Sequence, residues 1–510
     1  MFSSNQARPI PLLDSDFSSD DESLAPTNKR LSYTSLVNSQ PLSRYHKLIM
    51  TFVCTVTFAQ SLQTYLPLLL TTHLGCEMML SVADRSLLAI SYPLSHFIAP
   101  LLNAVLAKYS IKKILGTMLC VSMLLILSTL FCKTVHTMVI VRCLAGMLVI
   151  PESTLTQLWA HVYPQQHHKR CRMLVSCCSA EGLAISAILL MTHTSDIRFI
   201  IAVTSMMFIL PVMLSFWAVE TPLMVLRNGK YSQIMRSIET IFKGPKINSL
   251  RLQEIDFSDD SSTNSWNPAY LFNEKRNKRN VLIVGAQRAI QGFILATILC
   301  TFHSILNESN SSSSSCFAHI PENCTFAHKG PVYQRTLWRK ELGAVAVSSL
   351  LGTYLLPFLP LRHETVLLSL VGSVSYTFLS TCALSGVGRI VLLCLVIASH
   401  CSFNSAVSHL ASTVSVSIAG ECLTGLVFTL SMVLGKILSD EMKVGALVLS
   451  AILMGAVLVS GFLVKVPPTK DRCNEMVEND QDEPLMEELE LEMELDIVQE
   501  EVKEGGQESC

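Results

Sequence analysis

The sequence predicts an all-α membrane protein in which twelve transmembrane helices form two six-helix halves. Half of the 510 residues are apolar, only 15% are charged, and the mean hydropathy is +0.43. Soluble globular proteins carry about 25% charged residues, so a soluble enzyme of several domains is excluded. Apolar runs of about 20 residues, the length that crosses a bilayer core, recur along the chain and are separated once by a long polar stretch.

Six apolar runs precede the polar stretch and six follow it. The first six are 48–70, 86–106, 114–131, 138–162, 173–191 and 199–219; the second six are 281–305, 342–361, 365–384, 390–410, 413–437 and 444–464. We therefore predict five regions, which are a disordered cytoplasmic tail (1–46), an N-terminal six-helix bundle (47–219), a cytoplasmic linker (220–279), a C-terminal six-helix bundle (280–466) and an acidic cytoplasmic tail (467–510). The linker should contain an amphipathic helix, because Ile234, Ile238, Ile241 and Phe242 recur at helical spacing.

The net charge of −2 averages two opposite regions. Residues 474–510 hold 15 Asp or Glu against a single Lys503, which leaves a net charge of +12 on the rest of the chain. Those basic residues lie in short clusters after spans two, four and six rather than in one patch, which argues against a nucleic-acid partner. Because short basic loops stay inside, both termini are predicted to be cytoplasmic.

The loop over residues 306–337 is predicted to face the outside or a lumen. It holds every Asn-x-Ser/Thr sequon of the chain, at Asn307, Asn310 and Asn323, and such acceptors must lie away from the cytoplasm. Cys316 and Cys324 lie in the same loop, and we predict a disulfide between them because that compartment is oxidising. No cysteine or histidine set elsewhere has metal spacing, so no metal and no cofactor are expected.

Two short motifs relate this architecture to a known superfamily. Arg142-Cys-Leu-Ala-Gly146 resembles the Arg-x-x-x-Gly element on the fourth helix of the major facilitator superfamily. The segment from Val219 to Lys230, which begins Val-Glu-Thr-Pro and ends Gly-Lys, is similar to the element that closes the N-terminal half in organic cation and anion transporters (solute carrier 22-like) and synaptic-vesicle-2-like relatives. The resemblance implies a substrate site between two halves that rock against each other.

One segment departs from that superfamily. Between spans two and three its members carry Gly-x-x-x-Asp-Arg-x-Gly-Arg-Lys, whereas this chain has Ala107 in place of the acid and Ser110 in place of the glycine. Lys108 and Lys112 keep the basic positions and are the gating-loop candidates. The loss of the acidic residue and the glycine puts the normal transport cycle in doubt. It favours a protein that has the fold but does not transport.

Ionisable residues deep in spans are the candidates for the substrate cavity, because burying charge in a membrane is costly. They are Arg142 and Glu152 on span four, Glu181 on span five, Arg288 on span seven and His400 on span ten. Arg142 and Glu152 are ten residues apart and can face the same side of the span. Pro151, directly before Glu152, is expected to bend the helix there and to free a backbone carbonyl. Each of these residues also has an alternative role. Arg142 could cap backbone carbonyls, and Glu181 could pair with Arg142. Arg288 could act as a gate or contact lipid headgroups, and His400 could hydrogen-bond within the bundle.

The leading hypothesis is a secondary transporter that moves a small organic, ionic solute by alternating access, with a coupling ion as a possible partner. The alternative is a non-transporting scaffold, trafficking or receptor protein with the same fold. No enzymatic reaction is expected. The protein should lie among lipids of the plasma membrane or of endosomal or vesicle membranes, and dileucine-like segments at Leu12-Leu13 and Leu485 are candidate contacts for trafficking adaptors.

Overall fold

The computed structural model describes residues 31–77, 82–106, 111–192, 197–217, 220–222, 225, 231–242, 255–256, 282–297, 342–351, 371–372, 374–375, 388, 390–401 and 418–463. Nearly all of these residues are helical. In the N-terminal half the helices are α1 (Tyr33–Asn38), α2 (Arg44–Glu77), α3 (Val82–Leu94), α4 (Ala99–Leu106), α5 (Ile111–Ser128), α6 (Val135–Met147), α7 (Glu152–Ala160), α8 (His168–Thr192), α9 (Ile197–Met206) and α10 (Ile209–Trp217).

The remaining described helices begin with α11 (Tyr231–Ile241) in the linker. The C-terminal half contributes α12 (Leu282–Thr297), α13 (Leu342–Leu351), α14 (Ile390–Cys401), α15 (Ile418–Glu441) and α16 (Lys443–Leu463). Two-residue strands β1 (Leu31–Ser32) and β2 (Ile255–Asp256) pair in parallel. That pairing joins the N-terminal segment to the linker.

Three predicted spans are each split into two helices, and proline explains every split. The breaks separate α3 from α4, α6 from α7 and α9 from α10, and Pro100, Pro151 and Pro211 follow them. Proline cannot donate to the carbonyl four residues earlier and its ring clashes with it. Those carbonyls belong to His96, Met147 and Met207, which lie at or beside the three breaks. The bend predicted at Pro151 is confirmed as a break, whereas the breaks before Pro100 and Pro211 were not predicted.

Three stretches in the described part of the chain are long and apolar enough to cross a membrane. They are Lys113–Phe131, Gln165–Thr192 and Arg198–Trp217. Helix α2 has 34 residues, which at about 1.5 Å per residue is longer than a hydrocarbon core of about 30 Å. It therefore extends beyond the predicted span at both ends.

Two apolar clusters form the core. The larger combines N-terminal helices with C-terminal ones, through residues such as Leu66, Ala184, Phe293 and Val396. The smaller lies at the end of the bundle where α2 begins and α7 ends, which we name the linker end, and it includes Tyr33, Phe52, Trp159 and Phe242. Helix α11 docks there by the apolar face that the sequence indicated, since Ile234, Ile238, Ile241 and Phe242 are at most 2% exposed.

Candidate functional site

The break in span four sets the geometry of the candidate site. Helix α6 ends at Met147, Pro151 is extended with φ −59° and ψ 146°, and α7 starts at Glu152. The chain is therefore redirected between Arg142 and Glu152. The bend expected at Pro151 is a complete break, so Arg142 and Glu152 lie on two separate helices.

Arg142 points between helices of the N-terminal half. Its side chain is 3% exposed, and its Nη2 donates to the carbonyl of Gln63 on α2 at 3.1 Å. The guanidinium carbon lies 6.0 Å from the ring centroid of Tyr92 on α3, within cation–π range. Arg142 thus bonds a carbonyl of one neighbouring helix and stacks near an aromatic ring of another.

Gly146, the last position of the Arg-x-x-x-Gly element, lies where α6 packs closely against α3. A Cβ at Gly146 would overlap the backbone oxygen of Tyr92 and the Oγ of Ser95. Only glycine lets α6 approach α3 this closely. One turn earlier, the same face of α6 presents Arg142 to Tyr92, so the two motif residues serve one helix contact.

Glu152 and Arg288 form an ion pair that joins the two halves. The Arg288 Nη2 lies 2.8 Å from the Glu152 Oε2, and the Arg288 Nη1 donates to the Gln291 Oε1 at 3.3 Å. The side chains are 16% exposed for Arg288 and 46% exposed for Glu152. Tyr65 on α2 lies within electrostatic range of both charges and next to Ser179. This is where candidates from span four and span seven meet.

A second contact between the halves is apolar. Helices α3 and α4 pack against α15, and a Cβ at Gly425 would lie 3.3 Å from the Cα of Phe97. Phe97 lies in the turn that separates α3 from α4. The split of span two therefore supplies a contact to the opposite half.

Glu181 lies on α8 in a different environment from Arg142. Its electrostatic neighbours include the thiols of Cys54, Cys177 and Cys178. The adjacent Gly182 brings α8 against α2, since a Cβ there would lie 2.6 Å from the Cβ of Ser61. The proposed pairing of Glu181 with Arg142 does not form, because Arg142 is turned toward Gln63 and Tyr92 instead.

His400 is buried on α14 with 4% exposure, and its Nδ1 has no hydrogen-bond partner in the described part of the chain. Lys112 is the second residue of α5. The remaining predicted sites lie outside the described residues; they are Lys108, Asn307, Asn310, Asn323, Cys316 and Cys324.

Two groups of residues escaped the sequence reasoning. The first is Gln63 and Tyr92, which contact Arg142, with His96, which packs on the Tyr92 ring. At the linker end, His46 accepts the backbone N–H of Ser43 at 3.0 Å on Nδ1 and donates from Nε2 to the Val162 carbonyl at 3.2 Å. The spacing Ser43-x-x-His46 matches a capping box with histidine in the place of glutamate, and that was the one signal available.

The His46 site ties together separate parts of the chain. Ser43 Oγ donates to the carbonyl of Ile241 in the linker at 2.9 Å, and Tyr163 Oη donates to the His46 carbonyl at 2.7 Å. Burial lowers the pKa of His46 below its ordinary value of 6.5. The imidazole is therefore held neutral between its two partners.

Metal chemistry finds no support among the residues that the structure describes. They contain no group of three or more His, Cys, Asp or Glu side chains placed to hold a metal ion. The thiols of Cys54 and Cys178 do interact across α2 and α8, a contact between residues far apart in sequence. A pair of thiols falls short of the donor set of a structural zinc site.

No protein-family profile and no curated protein matches the sequence. Solved structures do match. The proton:xylose symporter XylE of the major facilitator superfamily, bound to 6-bromo-6-deoxy-D-glucose, aligns with a TM-score of 0.61 and 14% identity over 82% of this chain and 95% of that one. The xylose transporter XylE from E. coli, partially occluded and inward open, aligns with a TM-score of 0.61 and 11% identity over 83% and 98%.

These alignments span both halves of the chain and of the transporter. They show the fold alone, because a sequence identity of 11–14% is too low for the substrate or the mechanism of the transporter to be inferred for this chain. The predicted fold class is confirmed, whereas the organic-ion and synaptic-vesicle branch stays a prediction. The chain has the major facilitator fold, a multi-pass membrane architecture of twelve helices in two six-helix halves.

Proposed function

We propose that the protein is a secondary transporter that moves a small organic ion by alternating access between its two halves. The observation that carries the proposal is the Glu152–Arg288 ion pair, which bridges the halves at 2.8 Å. Alternating access requires contacts that hold the halves together in one state and release them in another. This pair has the location and the exposure for that role.

The strength of the pair suits a contact that is made and broken. Ion pairs with substantial solvent exposure contribute on the order of 1 kcal/mol or less, and Glu152 is 46% exposed. Breaking the pair therefore costs little compared with solute binding. The Phe97–Gly425 contact adds apolar packing that must also separate when the halves move.

The solute class rests on charge. XylE is a xylose transporter and one of its structures holds a halogenated glucose. This chain instead places Arg142, Glu152, Glu181 and Arg288 inside predicted spans, and charges there are costly unless they serve a site or a gate. The superfamily branch suggested by the Glu-Thr-Pro segment also points to organic ions.

An uptake panel in proteoliposomes tests the proposal. The panel contains radiolabelled benzoate, tetraethylammonium and D-xylose, offered to the wild type, Glu152→Gln and Arg236→Gln. Arg236 is exposed on α11 and serves as the control. We expect saturable uptake of one organic ion by the wild type and the control, and uptake reduced by up to about fivefold in Glu152→Gln, the factor that corresponds to about 1 kcal/mol.

A second candidate function is a non-transporting scaffold, trafficking or receptor protein. The altered segment between spans two and three favours it, because Ala107 and Ser110 replace the residues that transporters of this superfamily use there. Absence of uptake for every member of a broad organic-ion panel, with the protein folded and reconstituted, would favour this candidate over transport.

The orientation and domain limits belong to the same proposal. We place both termini in the cytoplasm and the 306–337 loop outside, in the plasma membrane or an endosomal or vesicle membrane, with the tails as adaptor contacts. Endoglycosidase digestion of Asn307→Gln, Asn310→Gln and Asn323→Gln variants tests the sidedness. A wild-type protein with no glycan on this loop would reverse the assignment.

A further inference from the structure

Arg142 and three neighbouring polar side chains, those of Gln63, Tyr92 and His96, form what we name the donor cluster. They come from α2, α6, α3 and the turn after α3. Arg142, Gln63 and Tyr92 are 3%, 1% and 0% exposed, and the rings of Tyr92 and His96 pack edge to face with centroids 5.1 Å apart. Three separate stretches of sequence thus contribute polar side chains to one chain of contacts, from Gln63 through Arg142 and Tyr92 to His96.

Each member of the donor cluster has a buried polar atom without a hydrogen bond of normal geometry. These atoms are Arg142 Nε, Gln63 Nε2, Tyr92 Oη and His96 Nε2. The Tyr92 hydroxyl lies near Ser122, whose Oγ donates to the Ala145 carbonyl and can still accept from Tyr92. Buried polar groups are nearly always hydrogen-bonded, so the unsatisfied Arg142 Nε, Gln63 Nε2 and His96 Nε2 indicate an occupant that the protein chain itself does not supply.

The chemistry of these atoms defines the occupant. Arg142 Nε and Gln63 Nε2 can only donate, and the Tyr92 hydroxyl can donate. A site with surplus donors and a guanidinium matches an acceptor that carries negative charge, and carboxylate is the group that arginine recognises best. A neutral hydroxyl or an ammonium group would leave the buried cation without compensation.

The distribution of buried charge gives independent support. Arg142 is a buried cation, and its printed partners, the Gln63 carbonyl and the Tyr92 ring, carry no net charge. Arg288 is already neutralised by Glu152. A cation taken out of water costs several kcal/mol unless it is compensated, so the interior favours an anionic guest.

We propose that the donor cluster is an occluded subsite for the carboxylate of an organic anion. This assignment rests on the proposed transport function and narrows its solute from an organic ion to an organic anion. Arg142 pairs with the carboxylate, while Gln63 and Tyr92 donate to its remaining lone pairs. The subsite is closed in the present conformation, and the solute reaches it when the helices around it separate.

Thermal unfolding of the purified full-length protein tests the subsite without requiring transport. Sodium benzoate and sodium butyrate are titrated against sodium chloride at equal ionic strength, and tetraethylammonium chloride serves as the cationic probe. A ligand that binds only the folded state raises its unfolding midpoint by mass action. We expect a saturable rise with at least one carboxylate, and no rise with tetraethylammonium.

Three variants locate the effect. Tyr92→Phe removes one hydroxyl that has no normal hydrogen bond, so folding should be unaffected, while the half-saturating carboxylate concentration should rise about tenfold, as for loss of a hydrogen bond to a charged group. Arg142→Gln should abolish the rise. Arg236→Gln, on the exposed face of α11, should respond like the wild type.

Several results would overturn the inference. They are a chloride effect equal to that of the carboxylates, stabilisation by tetraethylammonium instead, no response to any carboxylate, or the same carboxylate response in Tyr92→Phe and the wild type. Failure of the subsite is distinguishable from failure of transport. Carboxylate binding without uptake would contradict transport alone, and uptake of a cation would contradict the subsite alone.

Discussion

The two charged sites of span four differ in nearly every physical respect although ten residues separate them. Arg142 is 3% exposed and bonded to a backbone carbonyl of its own half. Glu152 is 46% exposed and bonded to Arg288 of the opposite half. The helix break before Pro151 is what allows one span to serve both environments. The buried site within one half is suited to binding a solute, and the exposed ion pair between the halves is suited to breaking when the halves separate.

The largest effect should come from reversing one charge of the exposed pair. Arg288→Glu places two carboxylates at the contact, so the halves repel each other there and transport should fall more than tenfold. The double reversal Glu152→Arg with Arg288→Glu restores attraction and should recover most of the flux. Uptake by proteoliposomes measures both, and equal loss in the single and double variants would contradict a role for the pair.

The next largest effect should come from overpacking the contact between α6 and α3 beside the buried Arg142. Gly146→Ala forces a Cβ into the backbone of Tyr92, and overpacking of this kind costs about 1–3 kcal/mol. Gly343→Ala is the matched control, because a Cβ there meets nothing within 4 Å. The unfolding midpoint of purified protein should fall for the first variant only. Similar midpoints would show that α6 and α3 are less tightly packed than described.

A smaller and pH-dependent effect should come from His46, which lies outside the spans. Its folded pKa is lowered by burial, so below its ordinary value of 6.5 the unfolded state binds more protons and stability is lost as pH falls. At pH 7.5 the contribution is fully present. The glutamine side chain of the variant His46→Gln can accept from Ser43 and donate to Val162 without titrating.

The comparison is therefore between two pH profiles of the unfolding midpoint. The wild type should lose stability between pH 6.5 and pH 5 relative to His46→Gln, by about 1 kcal/mol, the size of one hydrogen bond. Parallel profiles would mean that protonated His46 is tolerated at the linker end. They would leave the two sites of span four unaffected, since neither depends on this histidine.

The sequence predicted the fold because its signals are strong and local. Apolar runs of membrane length and the spacing of Ile234, Ile238 and Ile241 depend only on neighbouring residues. Splitting of spans was also within reach, since Pro100, Pro151 and Pro211 are visible in the sequence. The effect of Pro151 was predicted, but that of Pro100 and Pro211 was not, because proline is also tolerated in membrane helices, as Pro67 is within α2.

The partners of the site residues were not predictable in the same way. Glu152 pairs with a residue 136 positions away, and Arg142 bonds Gln63 across 79 positions. Such contacts depend on how helices pack and on where a break redirects the chain. Glu152 and Arg288 were both singled out as costly charges, yet the sequence did not indicate that they meet.

Distance measurement between the halves tests the central claim most directly, because it needs no knowledge of the solute. Double electron–electron resonance measures two distances between spin labels attached to introduced cysteines. One pair is at Lys133 and Met442, both exposed at the end opposite the linker, and the other is at Glu239 and Leu282 toward the linker end. The native accessible cysteines are replaced by serine. Arg288→Glu is predicted to lengthen the linker-end distance and shorten the other. Distances that are the same with and without Arg288→Glu would contradict an ion pair that holds the halves in one of two states.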